Sequence, residues 1–172
     1  MREILLKSDH RQRRKVFMSF RIAGLPAAQF SHLFGLDEAA LQEHGAQRHL
    51  VTETPGFPDR IELRDATPGE YVLLINYQHQ PANNPYRSSH AIFIIEGAAN
   101  HFDQQDTVPD PLRIRTISLR AFDEKDEMVD ADLVQGEQLA TRIEEFFANN
   151  TVRYLHAHYA KRGCYAARID RA

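Results

Sequence analysis

The sequence predicts an α+β fold built on a mostly antiparallel curved sheet or open barrel, with about eight strands and about three helices. Short segments in which apolar and polar residues alternate follow one another along most of the chain, and turn residues separate them. Strands that succeed one another without an intervening helix usually pair antiparallel. The longest segment with apolar residues at helical spacing follows Gly136.

Length and composition indicate one ordinary globular domain. The chain has 172 residues, of which 42% are hydrophobic and 26% charged, which suits a single domain with its own core. Cys164 is the one cysteine, so the chain cannot form an internal disulfide, and we expect a cytoplasmic location. No segment approaches the roughly 18 apolar residues that would span a membrane.

The N-terminal segment differs in charge from the rest of the chain. Residues 1–17 contain six lysines and arginines against two acidic residues, whereas the whole chain has a net charge of −3. We therefore predict a basic N-terminal extension, residues 1–17, followed by a single α+β domain, residues 18–172. The acidic domain would repel phosphate, so nucleic acid is not an expected partner.

The first half of the chain alternates short strands with turns and two short helices. Pro26 suits the first turn of a helix, and Asp37 is a good N-cap for the next one. The segment after Gly69 has the strongest strand pattern. We expect helices at residues 26–35 and 37–41, and strands at residues 20–22, 48–54, 60–64, 71–79 and 91–96.

The second half contains a hairpin, a helix and two final strands. Residues 97–111 are polar and contain prolines, which predicts a long surface loop. The acidic turn at residues 123–127 joins two strands, and the helix after Gly136 ends near Asn149. We expect the helix to carry an apolar stripe, and strands at residues 112–122, 128–134, 152–159 and 165–169.

The strand at residues 71–79 becomes polar toward its end. Tyr77 and His79 share one face, because side chains alternate along a strand. A strand that opens from apolar to polar groups is typical of a pocket wall. It is equally typical of a strand that leaves the core.

His156 and His158 are the strongest candidate metal ligands. Residues i and i+2 of a strand face the same way, about 7 Å apart. Two imidazoles at that spacing can converge on one metal ion, with His79, Asp130 or Asp132 as the third ligand. Two histidines and a carboxylate would suit iron, manganese or zinc. The alternative is structural: one histidine lies at the surface and the other bonds a neighbouring backbone group.

Cys164 is a candidate nucleophile. Lys161 and Arg162 precede it, and nearby cations favour the reactive thiolate. With His156 or His158 across a turn, it could form a cysteine–histidine pair. The alternative is a buried, inert thiol.

Two arginines are candidate ligand-binding groups. Arg87 lies in a loop beside Ser88 and Ser89, an arrangement able to bind a carboxylate or a phosphate. Arg120 lies inside an apolar strand. It either pairs with an acid such as Asp130 or reaches into a pocket.

Several segments together resemble a bacterial family of uncharacterised proteins, the domain of unknown function 1203. The resemblance runs from about Phe20 to the end of the chain and implies the limits of the domain, but it carries no activity. The segments are PGFP (55–58), VLLINYQHQP (72–81), PYRSS (85–89), LRAFD (119–123), VDAD (129–132), HAH (156–158) and GCYAARIDR (163–171).

Two functions are compatible with these observations. One is small-molecule binding or catalysis in a single pocket, assisted by a divalent metal such as zinc or iron. The alternative is a non-catalytic interaction protein or a homo-oligomeric structural module. The sequence contains no glycine-rich nucleotide-binding motif, no G-x-S-x-G and no H-E-x-x-H, and it does not decide whether the chain is an enzyme. The expected pocket residues are Tyr77, His79, Arg87, Arg120, Asp130, His156, His158 and Cys164.

Overall fold

A computed structural model describes residues 19–172, so the predicted basic extension lies outside the described residues. In the described part, nine strands form two sheets with antiparallel pairing, and neither closes into a barrel. The predicted α+β class is therefore confirmed. None of the helices within residues 19–172 is both long enough and apolar enough to cross a membrane.

The larger sheet has six strands, numbered here in chain order. They are β1 (Phe20–Ala23), β5 (Asp103–Gln105), β6 (Thr116–Phe122), β7 (Met128–Gln135), β8 (Tyr154–Tyr159) and β9 (Tyr165–Arg171). Their spatial order is β5-β1-β9-β8-β6-β7, which places β8 between β6 and β9. Helix α3 (Leu139–Phe147) packs its apolar stripe into the core of this sheet, as its helical spacing predicts.

The smaller sheet has three strands. They are β2 (Gln47–Leu50), β3 (Tyr71–Gln80) and β4 (Ser88–Ile95), with β3 in the centre. Asp37 is the N-cap of helix α1 (Glu38–Glu43), and its carboxylate accepts a hydrogen bond from the amide of Ala40 at 2.8 Å. A second core packs against β3 and β4 and includes Tyr165 of β9, so the two sheets contact each other.

The predicted strand at residues 60–64 is wrong. This segment belongs to a loop, residues 55–66, in which Asp59 and Arg60 are buried together with Ile61. Its alternating pattern comes from packing between the two sheets. Within the loop, Pro58 forms an isolated antiparallel bridge with Asp65, and Asp59 forms a parallel bridge with Phe93 of the strand at residues 88–95. Other backbone hydrogen bonds and those of side chains hold the rest.

Other boundaries also differ from the prediction. Residues 97–111 are not a plain loop, because β5 and the start of helix α2 (Asp110–Arg113) lie there. The residues of β5 are all exposed, which explains why it lacks an alternating apolar pattern. The predicted helix at residues 26–35 consists of two 3-10 turns, Ala27–Gln29 and Ser31–Leu33.

Gly24 lies where the chain leaves β1 and meets the loop at residues 55–66. Its amide donates to the carbonyl of Phe102 at 2.8 Å, and the amide of Leu25 donates to the carbonyl of Arg60 at 2.6 Å. A Cβ atom at Gly24 would overlap the carbonyl oxygen of Ile61. The close approach of these two backbones therefore requires glycine.

We expect Gly24→Ala to lower the free energy of unfolding by about 1–3 kcal/mol, because the added methyl group forces two backbones apart. Urea denaturation measures the change. Gly56→Ala is the matched control, since its Cβ atom would meet the side chain of Glu53 at an ordinary contact distance of 3.4 Å. Equal stability of Gly24→Ala and the wild type would contradict the prediction.

Candidate metal centre

The strand β8 places His156 and His158 on the face of the large sheet that is turned away from α3. Cross-strand partners share a face of a sheet, and β6 pairs Arg120 with His156 and Ser118 with His158. The intervening residue Ala157 is buried in the core against α3. Both imidazoles therefore point toward the small sheet.

His79 approaches them from the small sheet. It lies near the end of β3, where a register irregularity between Tyr77 and Gln80 interrupts the pairing with β4. Its ring centroid lies 5.7 Å from that of His156 and 4.9 Å from that of His158. One ring nitrogen from each of the three histidines lies within 4.8 Å of the other two.

The hydrogen bonds of these histidines leave nitrogens free inside the cluster. His158 Nδ1 lies 2.9 Å from the carbonyl oxygen of Gly163. Because a carbonyl only accepts, Nδ1 carries the proton and Nε2 presents a lone pair. His158 Nε2, His79 Nδ1 and His156 Nδ1 are buried without a hydrogen-bond partner among residues 19–172. Leaving a buried polar group unpaired costs about 1–3 kcal/mol.

The three imidazoles are neutral near pH 7. Burial lowers the pKa of His79 to about 4, that of His156 to about 2 and that of His158 to about 3. The positive charge of Arg120 is a smaller cause of the same lowering of the pKa in all three histidines. Neutral imidazole is the form that ligates metals.

The spacing of the nitrogens fits a metal ion after a small contraction. Three points within 4.8 Å of one another share a centre that is at most about 2.8 Å from each. Zinc binds histidine nitrogen at about 2.0–2.1 Å. Shifts of about 0.7 Å in each side chain close this gap, which rotations of the three rings can supply.

A cavity of about 480 Å³, here called the first cavity, opens beside His79 and His156. The ring of Tyr165 lies parallel to that of His79 at a centroid distance of 5.1 Å. The hydroxyl of Tyr154 donates to Asp126 at 2.7 Å and accepts from Gln80 at 2.8 Å, which fixes that wall. Lining residues that carry polar groups include Tyr77, His79, Tyr154, His156, Tyr165 and Arg168.

Arg168 lies at the exposed rim of the first cavity. Its guanidinium lies 3.9 Å from the ring centroid of Tyr154 and forms an ion pair with Asp170 at 2.9 Å. Tyr154, Tyr165 and Arg168 were not among the predicted site residues. Tyr154 could have been found from its position two residues before His156 on the same face, and the other two lie within the segment GCYAARIDR.

Arg120 lies beside the histidines, but its expected pairing with Asp130 is wrong. The register pairs Arg120 with Ala131, which places Asp130 on the opposite face of the sheet. Arg120 has no carboxylate partner within residues 19–172, and its Nε donates to Ser118 Oγ at 3.3 Å. Asp130 instead accepts a hydrogen bond from the amide of Ala131.

The structure does not bring Cys164 or Arg87 to the first cavity. Cys164 lines a second cavity of about 740 Å³ on the other side of the turn between β8 and β9. Arg87 is exposed in the loop between β3 and β4. Of the eight predicted pocket residues, Tyr77, His79 and His156 line the first cavity, and His158 and Arg120 lie next to them.

A comparison with family models identifies the family to which the domain belongs. The model of the family described as "Protein of unknown function (DUF1203)" matches residues 56–171. The chain belongs to this family. The match confirms the resemblance noted in the sequence, although it begins later than Phe20. No curated protein and no solved structure matched the chain, so its function must be argued from the site.

The lowered pKa values predict acid sensitivity of the metal-free protein. Unfolded histidine titrates near pH 6.5, so below about pH 6.5 the unfolded chain binds protons that the folded histidines do not take up. The stability that these histidines contribute is therefore fully present above about pH 6.5 and is lost as the pH decreases toward the folded pKa values.

We expect His156→Gln to reduce this loss of stability between about pH 7 and pH 5, measured by urea denaturation. His44→Gln, at an exposed position, serves as the control and leaves the loss unchanged. A loss in His156→Gln as steep as that of the wild type would show that the imidazole is not held neutral by the fold.

Proposed function

We propose that this protein binds a divalent transition metal ion, zinc in preference to iron, through His79, His156 and His158. The observation that supports the proposal is the convergence of three neutral imidazoles from two different sheets, two of them buried and that of His79 half-buried. In this arrangement the metal joins the two sheets, because His79 belongs to the small sheet and the other two ligands to the large one.

The donor set favours zinc. Non-haem iron sites commonly use two histidines and one carboxylate. Within residues 19–172, the group of potential ligands that converges here contains three histidines and no carboxylate. Three protein ligands are typical of catalytic zinc sites, which keep the fourth position for water or substrate.

The first cavity is where that fourth ligand would bind. It adjoins His79 and His156, and aromatic rings form much of its wall. A zinc ion here would act as a Lewis acid and lower the pKa of a water molecule bound to it. We therefore propose metal-assisted binding or hydrolysis of a small molecule, with Tyr77 and Tyr165 contacting its body and Arg168 holding an anionic group at the rim.

Arg120 supports the same proposal from the other side of the histidines. Its guanidinium is partly buried and has no acid to neutralise it within residues 19–172. A cation next to a metal raises the cost of binding the metal alone. It favours the metal together with an anionic ligand, and we propose this role for Arg120.

The alternative, a non-catalytic module whose strands pair with a partner, has less support. The outermost strand β7 is the longer of the two edges of the large sheet. The amides of Ala131 and Leu133 donate to the carboxylates of Asp130 and Asp132, each at 2.8 Å. Acidic side chains on an edge strand discourage pairing with another strand, which gives the two aspartates a structural role.

We expect tag-free protein dialysed against zinc to retain one zinc ion per chain, measured by elemental analysis. His156→Ala/His158→Ala should retain less than about one zinc ion per ten chains, because two of the three ligands are gone. The matched control is His32→Ala/His44→Ala, which removes an exposed pair of neighbouring histidines with ring centroids 5.6 Å apart. Stoichiometric zinc in the first double variant would refute the assignment.

Zinc should also raise the melting temperature of the wild type by about 5–10 °C at 100 times its dissociation constant, since the ion stabilises only the folded state. The shift should vanish in His156→Ala/His158→Ala and persist in the control pair.

Cobalt(II) in place of zinc reports on the open position. Its visible absorption should change when acetohydroxamate is added, and an unchanged spectrum would contradict an open site.

A further inference from the structure

The second cavity has an unusual charge. It lies between the loop at residues 55–66 and the turn that joins β8 to β9. Within the described residues 19–172, none of the residues that line it is acidic. Four of them carry a full positive charge: Arg60, Arg115, Lys161 and Arg162.

Arg60 is the deepest of these cations. It is only 2% exposed, and no carboxylate of residues 19–172 lies within ion-pair distance of it. Its Nε donates to the carbonyl of Tyr165 at 2.8 Å, and a second nitrogen donates to the carbonyl of Pro58. The carboxylate of the adjacent Asp59 is occupied by backbone amides. Asp59 attracts Arg60 electrostatically without forming an ion pair with it, and a buried charge without a direct partner is costly.

Arg115 lines the second cavity together with Arg60 and Tyr159. Its guanidinium forms two hydrogen bonds with Asp65, at 2.7 and 2.9 Å, which neutralise its charge. The guanidinium carbons of Arg60 and Arg115 lie 5.1 and 5.3 Å from the ring centroid of Tyr159. The aromatic ring and the two planar groups hold one another in place, so Arg60 is fixed in orientation before any ligand arrives.

Lys161 and Arg162 stand at the mouth of the cavity. Both are exposed and neither forms an ion pair with another residue of the described part of the chain. Together with Arg60 they place around one cavity three positive charges that have no ion-pair partner within residues 19–172. A field of this sign attracts an anion and raises its local concentration.

We infer that the second cavity binds a small molecule carrying a dianionic oxyanion, of which a phosphate monoester is the model. Three cations suit two negative charges better than one. Arg60 uses Nε and one Nη for the carbonyls of Tyr165 and Pro58, which leaves its other Nη to donate to a phosphate oxygen. Leu74 and Phe93 line the same cavity and give the uncharged part of the molecule an apolar surface. A volume of about 740 Å³ fits a small molecule and not a macromolecule.

This inference does not depend on the metal. The turn between β8 and β9 separates the two cavities: Cys164 lines the second and Tyr165 the first. Loss of the histidines should therefore leave anion binding intact.

Isothermal titration calorimetry of metal-free full-length protein with phenyl phosphate, at constant ionic strength, tests the inference. We expect one molecule to bind per chain. Lys161→Gln/Arg162→Gln should bind at least about tenfold more weakly, the effect of losing one or two charged contacts. These exposed substitutions should leave the circular dichroism spectrum unchanged. Lys125→Gln/Arg153→Gln removes two exposed cations elsewhere and should bind like the wild type.

Three results would overturn the inference. The first is no binding of phenyl phosphate to the wild type. The second is equal affinity for benzoate, which would show that a single charge suffices. The third is loss of binding in His156→Ala/His158→Ala but not in Lys161→Gln/Arg162→Gln, which would place the anion at the histidines.

Discussion

Two adjacent buried residues, Asp59 and Arg60, join the two sheets of this protein. The carboxylate of Asp59 accepts hydrogen bonds from the amide of Ile95 at 2.7 Å, at the end of β4, and from amides of its own loop. Arg60 donates to the carbonyl of Tyr165, the first residue of β9. One peptide unit therefore links the small sheet to the large one, and together with the core that includes Tyr165 it holds the sheets at their distance.

The histidine cluster exists only at that distance. His79 comes from the small sheet, and His156 and His158 come from the large one, so no single sheet contains the proposed metal site. Burial raises the pKa of Asp59 although three amide donors lower it. An asparagine there would offer one acceptor oxygen in place of two. The two carboxylate oxygens of Asp59 serve three amides, although burial of the carboxylate is costly.

The sequence predicted the strands that carry the site better than the segment that joins them. Alternating residues located β3, β8 and β9 to within a few positions, although all six residues of β8 are buried. The same alternation in residues 60–64 was misleading. There Ile61 packs in the core beside β3 and β4, Leu63 packs in the core that contains α3, and Arg60 is buried for its hydrogen bonds. A period of two does not distinguish this from strand pairing.

Register explains which site predictions failed. His156 and His158 share a face because they are two residues apart, and that relation is fixed within one strand. Whether Arg120 and Asp130 lie on the same face depends on how β6 pairs with β7. A shift of one residue in that pairing moves the side chains of one strand to the opposite face of the sheet. Cys164 lies next to Tyr165 in the chain yet lines a different cavity. Spacing along the chain could not show which of the two would meet the histidines.

The segment formed by residues 163–165 has contacts on both sides. The carbonyl of Gly163 fixes the tautomer of His158, the ring of Tyr165 stacks on His79, and its carbonyl holds Arg60 at the floor of the second cavity. A ligand that displaced this segment from one side would alter the geometry on the other. By thermodynamic linkage, the two binding events would then change each other's affinity by the same factor. The segment of residues 163–165 would in that case couple the two cavities allosterically.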